Sequence, residues 1–126
     1  MPPGSSLPPA PMPPPRHVVS LDIGQAADPS ALAVLEVQPG PTDAHPSTIS
    51  VVDLRRWKLG TPYGKVADDV LELSRRPAIL DPVLCYDQTG VGRPVGELIR
   101  DGAWCPVVPV TITSGHAPTP DPMGGW

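Results

Sequence analysis

Two aspartates stand out by their place in the chain. Asp22 closes the apolar run Val18-Val19-Ser20-Leu21, and Asp87 closes Val83-Leu84-Cys85-Tyr86. Glycine follows each of them closely: Gly24 after Asp22, Gly90 and Gly92 after Asp87. An acid at the end of an apolar strand is costly to bury unless it is paired or bound to metal. In open α/β sheets, ligand and catalytic groups collect outside the carboxyl ends of the strands. Two carboxylates brought together there repel one another, and a divalent cation relieves the repulsion. Mg²⁺ takes oxygen ligands, commonly one or two carboxylates together with substrate phosphates. In a two-metal site the ions lie ~4 Å apart, one activating water and the other stabilising the leaving oxygen. Such a site normally wants a third acid. The plain alternative for Asp22 is a turn-starting residue before Gly24.

The elements that must position these acids follow from period and punctuation. Arg16 to Ile23 alternates as a strand, with Val19, Leu21 and Ile23 on one side and Val18, Ser20 and Asp22 on the other. Ala31 to Val37 is a nearly continuous apolar run, the pattern of a strand covered on both faces. Gln38 to Ser47, with three prolines, reads as a hairpin loop that leaves His45 in solvent. Thr48 to Leu59 is a third strand. Thr61-Pro62 is a helix start, with Thr61 as N-cap and Pro62 in the first position. Tyr63, Val66, Val70 and Leu73 then mark a buried helical face, and Arg75-Arg76-Pro77 ends the helix. Val83 to Asp87 is a fourth strand. A second helix starts near Gly92 or Arg93, because Pro94 is tolerated only in a first turn. Its apolar residues are Val91, Val95, Leu98 and Ile99, and Asp101-Gly102 ends it. Pro106 to Thr113 is a fifth strand, at an edge because of its prolines.

The expected order is β-β-β-α-β-α-β: an α/β domain with a five-stranded mixed sheet and helices packed on it. The first strand lies centrally and the fourth pairs parallel to it, which sets Asp22 beside Asp87.

Other groups have weaker claims. Arg55, Arg56 and Lys58 flank Trp57 as a local basic patch that could touch a phosphate backbone, or simply form a solvated strand end. Asp68, Asp69 and Glu72 fall on the polar side of the first helix, where a solvated face is the ordinary reading. Cys85 and Cys105 sit in apolar, strand-like surroundings and read as reduced core residues of a cytosolic protein. No Cys/His spacing suggests zinc.

The net charge of −4 supplies no global attraction to nucleic acid, so any such contact rests on a local patch. Phe is absent, so the core must be Val, Leu, Ile and Ala. Residues 1–15 form a Pro-rich arm that cannot supply a backbone N–H ladder and is expected to be extended. It lacks the basic start and unbroken apolar core of a secretory signal. No stretch approaches the ~20 apolar residues that span a bilayer. Residues 16–113 form the folded domain and 114–126 a tail rich in Pro and Gly.

Several segments carry a resemblance. His17-Val-Val-Ser-Leu-Asp22-Ile-Gly24, with Asp28-Pro29-Ser30-Ala31 after it, resembles the start of a ribonuclease-H-like domain. Arg55-Arg56-Trp57-Lys58-Leu59-Gly60-Thr61-Pro62-Tyr63 and Asp87-Gln-Thr-Gly-Val-Gly-Arg93-Pro-Val resemble the nuclease domain of phage terminase large subunits and related prophage proteins, as does Val108-Pro-Val-Thr-Ile-Thr. The resemblance covers about Arg16 to Thr113. It implies strands one to three antiparallel, helices on both sheet faces, and Mg²⁺- or Mn²⁺-dependent cleavage of double-stranded DNA during genome packaging, beside other packaging proteins. Asp22 and Asp87 match its first- and fourth-strand acids as metal ligands and catalytic groups. Arg55, Arg56, Lys58 and Arg93 are the matching candidates for DNA contact.

The family's third acid lies on or near a helix after the fifth strand. The sequence reaches Gly124-Gly125-Trp126 about where that helix should begin, so an incomplete domain lacking its final helix is expected. Asp121 is not given the third role. The sequence carries no GxxxxGK[ST] loop, so the family's packaging ATPase is not expected within these residues. Two other readings fit the same residues. One is a non-catalytic remnant of the fold serving as an interaction module. The other is a nucleotide-binding domain of the actin and sugar-kinase class, whose phosphate-contacting turns Leu21-Asp22-Ile23-Gly24 and Asp87-Gln88-Thr89-Gly90 also resemble.

Overall fold

The computed structural model describes residue 4, residues 7–115 and residue 118. Parts of the expected arm and most of the expected tail, Asp121 included, lie outside the described residues. The elements are β1 (Arg16–Asp22), β2 (Ala31–Gln38), β3 (Thr48–Arg56), α1 (Tyr63–Ser74), β4 (Val83–Asp87), α2 (Gly92–Gly102) and β5 (Val107–Val110). They build one open mixed sheet in the order β3-β2-β1-β4-β5. β1 with β2 and β2 with β3 pair antiparallel, and β4 pairs parallel with both β1 and β5. β1 is therefore central and β5 is an edge, as the sequence implies. Among the described residues no helix is long and apolar enough to cross a membrane.

One face of the sheet is covered. Val19 and Leu21 of β1, Leu32 and Val34 of β2, and Leu84 and Tyr86 of β4 are buried there in one cluster with residues of both helices. α1 contributes Val66, Val70 and Leu73, and α2 contributes Val95 and Ile99. The helices also pack on each other: Leu71 meets Gly102, and the Arg75 guanidinium donates to the Gly102 carbonyl at 3.0 Å.

The opposite face is open, which corrects two expectations. β2 is not covered on both sides, since Ala31, Ala33, Leu35 and Val37 are only half-buried. The two helices do not lie on opposite faces but share one. On β3 the apolar side chains Ile49, Val51, Val52 and Leu54 are all at least half exposed.

Local corrections have local causes. β3 ends at Arg56, not Leu59, because the chain reverses through a turn closed by Thr61 N–H donating to the Lys58 carbonyl at 3.1 Å, with Gly60 at φ +85°. The Thr61 hydroxyl donates to that same carbonyl at 2.6 Å, so it does not cap α1. Pro62 occupies the N-cap position instead. Tyr63 stands partly in solvent and Ala67 takes its place in the buried face. Leu98 is half exposed, so the buried stripe of α2 is Val95, Gly96 and Ile99. β5 shrinks to Val107–Val110.

One contact sets where β4 begins relative to β1. His17 N–H donates to the Leu80 carbonyl at 2.9 Å, and Leu80 N–H donates to His17 Nδ1 at 2.8 Å. The ring is buried, and Nδ1 must be unprotonated to accept that bond. The proton of the neutral ring is then on Nε2, which faces Glu36 Oε2 at 3.4 Å. Replacing His17 by Leu keeps the volume but strands the buried Leu80 N–H. The expected loss is about 1–3 kcal/mol in urea unfolding. His17→Asn, whose side-chain oxygen can accept in place of Nδ1, should recover a substantial part.

A second point of close packing joins α2 to β4. A Cβ added at Gly96 would overlap the buried Tyr86 ring. Overpacking costs about 1–3 kcal/mol, and alanine returns at most ~1 kcal/mol of helix propensity over glycine. Gly96→Ala should therefore lower stability by about 1–2 kcal/mol, measured by the same unfolding experiment, although alanine is the better helix former.

Candidate functional site

The parallel register of β1 and β4 pairs Leu21 with Tyr86, so the next residues, Asp22 and Asp87, stand side by side. Neighbouring strands lie ~4.8 Å apart. Side chains alternate, and both acids fall on the open face of the sheet. They line one hollow of about 520 Å³ together with Gly24, Asp28, Arg56 and Thr89.

Two tight turns shape this hollow. After β1, the Gly24 N–H donates to Ser30 Oγ at 3.0 Å, and Asp28 N–H donates to the Gln25 carbonyl at 3.1 Å. Gly24 has no room for a side chain, because a Cβ there would overlap the Asp28 carbonyl. After β4, Thr89 N–H donates to Asp87 Oδ1 at 2.9 Å, and Gly92 N–H reaches the Thr89 carbonyl at 3.3 Å. Gly90 adopts φ +64°, and Gly92 packs on the Asp87 carbonyl too closely to admit a Cβ. The Gln25 side chain lies against Gly90 and joins the two turns.

The charges of the hollow are unneutralised by protein. Among the described residues Asp22 forms no hydrogen bond or ion pair, and Asp87 uses only Oδ1, on Thr89. Arg56 lines the same hollow without an ion-pair partner. Asp28, six residues after Asp22, was not singled out by sequence. The spacing Asp22-x-Gly24…Asp28 with Ser30 behind it is the signal for a tight turn that returns an acid to the strand end. No three His, Cys, Asp or Glu side chains come together as a group able to hold one ion among the described residues.

The basic patch is divided by the structure. Arg56 joins the acids. Arg55 points to the other side of β3, pairs with Asp53 at 2.9 Å, and lines a second hollow, which Arg56 also borders, with Asp69, Glu72 and Arg76. Lys58 lies in a third hollow beside Tyr63. Arg93 is exposed in the first turn of α2, outside the lining of the acid hollow. The acids of α1 stay away from the hollow. Cys85 and Cys105 are free, and burial raises both thiols above their ordinary range, which suppresses thiolate chemistry. His45 is exposed and bonded to the Thr42 hydroxyl at 2.7 Å.

Comparison with known proteins finds no matching family model, no matching curated protein and no matching solved structure.

Asp69 has a structural task. Its Oδ1 accepts from Lys65 Nζ at 2.6 Å, and its Oδ2 accepts from Trp57 Nε1 at 2.9 Å. The Lys65 bond first, and the Trp57 bond second, lower its pKa below the ordinary 3.8. A depressed carboxyl contributes stability that is present above its unfolded pKa and is lost as pH falls through the folded value. Wild-type melting temperature should thus fall more steeply than that of Asp69→Asn as pH drops below about 3.8. Parallel melting curves across that range would contradict this role.

Proposed function

We propose that the hollow between β1 and β4 binds a divalent cation and that the protein is a Mg²⁺- or Mn²⁺-dependent nuclease of ribonuclease-H-like fold, acting on double-stranded DNA. The observation that carries the reading is the pair Asp22 and Asp87: two carboxylates on adjacent strand ends, facing one cavity, with no protein cation bonded to either. Like charges so placed destabilise the fold unless something positive sits between them. Carboxylate oxygens are the donors that Mg²⁺ and Mn²⁺ prefer. Asp22 and Asp87 would hold the ion, and Asp28 lines the same hollow. A bound ion supplies Lewis-acid stabilisation of a phosphoryl oxygen and lowers the pKa of attached water.

The chain's own residues account for the rest. Arg56 offers a guanidinium at the rim, suited to a phosphate oxygen in bidentate fashion. Thr89 and the Gly90 turn leave backbone at the mouth of the hollow, where a substrate can approach without side-chain obstruction. The antiparallel β1–β3 segment is what the resemblance implies and supports the fold assignment, whereas the packing of both helices on one face departs from it. A non-catalytic interaction module is the second reading. The Asp87 Oδ1 bond to Thr89 N–H favours it, since it gives that acid a turn-forming role without any metal.

Nicking of supercoiled plasmid by purified protein in Mn²⁺ or Mg²⁺ separates the two. The nuclease reading expects conversion to the open-circular form that EDTA abolishes. Asp22→Asn and Asp87→Asn should each lower the rate by about two orders of magnitude, since the charge stabilisation an ion provides amounts to several kcal/mol. Calorimetric titration should show Mn²⁺ binding by wild type and none by the double variant. Equal background nicking by all proteins, with no Mn²⁺ binding, would leave the interaction module.

A further inference from the structure

A second hollow of about 270 Å³ adjoins the acid site, and the function proposed above does not use it. Its walls are the β1–β2 turn on one side and the β3–α1 connection on the other. Gly24, Gln25, Asp28 and Pro29 line both hollows, so the two are separated only by that turn. The far wall brings together Trp57, Lys58 and Tyr63. Both aromatic rings are tethered, Trp57 from behind by α1 and Tyr63 across the cleft by the β1–β2 turn. Trp57 Nε1 donates to Asp69 at 2.9 Å, and the Tyr63 hydroxyl donates to the Gly24 carbonyl at 2.9 Å. Tyr63 nevertheless stays 39% exposed. Lys58 is exposed and its ammonium has no partner among the described residues.

We infer that this cleft takes an unstacked nucleobase from the strand whose phosphate lies at the acids, so that the preferred ligand is a single-stranded or locally opened nucleic acid. The inference rests on the nucleic-acid reading of the acid hollow and narrows the double-stranded substrate proposed there to DNA whose strands are opened at the point of cleavage. Three features carry it. Fixed aromatic rings in a narrow cleft are stacking platforms, and every base has a π-face to stack. The cleft is smaller than the ~300–1,000 Å³ of ordinary small-molecule pockets, so it suits one base and not a longer segment. Two cations without an ion-pair partner among the described residues, Lys58 here and Arg56 at the acids, border the two adjoining hollows and supply positive charge for the phosphates of one strand. An apolar peptide side chain would use the rings but not the two cations.

The test is binding, measured without metal so that hydrolysis plays no part. Fluorescence anisotropy of a labelled single-stranded DNA of about 12 nucleotides, within the site size of single-strand binders, is compared with its duplex in EDTA at low salt. The single strand should bind more tightly. Tyr63→Ala should weaken it about 5- to 100-fold, the range for loss of one stacked base, whereas Tyr63→Phe, which keeps the ring, should stay within about threefold of wild type. Lys58→Ala removes an exposed side chain with no structural partner. It should weaken binding and reduce the salt slope by about 1. Each variant is checked by its melting curve, and Lys58→Ala carries the test if Tyr63→Ala does not fold.

Duplex bound as well as single strand, no measurable oligonucleotide binding, or unchanged affinity in both Tyr63→Phe-controlled Tyr63→Ala and Lys58→Ala would overturn the inference. Single-strand binding by wild type is measured beside its plasmid nicking. If that binding obeys the cleft variants while wild type nicks no plasmid, the hydrolytic reading fails and the cleft stands. If wild type nicks plasmid but the cleft variants bind like wild type, the cleft fails alone.

Discussion

The arrangement depends first on the reciprocal bond between His17 and Leu80. β4 reaches its place beside β1 only after a crossover through α1, and a long connection leaves register free to slip. The His17–Leu80 pair removes that freedom at the start of both strands. From there the parallel ladder runs Val18 with Val83 to Leu21 with Tyr86. A slip of one residue would turn Asp87 to the helical face and bury it against Val95 and Ile99. The clamp lies at the opposite end of β1 from the acids, yet it decides that they share a face. The neutral state of His17 is part of this, because a protonated Nδ1 would confront the Leu80 N–H.

Glycine and hydroxyl chemistry then finish the site. Ser30 satisfies the buried Gly24 N–H, which lets the chain turn within a few residues of Asp22. Gly92 lets α2 begin against the carbonyl of Asp87. Both close approaches would be blocked by any side chain, so the acids sit at the lips of two turns that have little room to rearrange. Such preorganisation is what a site for a small ion needs, because the ligands do not have to be gathered on binding.

Much of this was legible in the chain. Alternation in Arg16–Asp22 and the short run Val83–Asp87 identified the strands, and their parallel pairing followed from the helix between them. The Asp22–Asp87 juxtaposition came from the same logic. What sequence could not show was which partners compete for a group. Thr61 looked like a cap, but the Lys58 carbonyl, exposed by the preceding turn, took its hydroxyl. Arg55 and Arg56 looked like one patch, yet strand alternation sends them to opposite faces and Asp53 captures Arg55. β2 looked doubly covered because apolar residues fill both of its faces. Burial depends on whether another element arrives, and among the described residues both helices pack on the same side.

The two oxygens of Asp87 bring the structural and chemical readings together. Oδ1 is engaged by the Thr89 N–H, an interaction that a turn would retain for its own sake. That bond also fixes the direction of the group. Oδ2 makes no hydrogen bond among the described residues, and Asp87 and Asp22 line one hollow. A turn-forming aspartate needs no second acid beside it, and an unpaired second acid makes the turn less favourable. The structural role of Asp87 therefore explains one of its oxygens and leaves Asp22 unexplained. The proposed cation between them would account for both, and Arg56, lining the same hollow without bonding the acids, would add positive charge for the proposed anionic substrate.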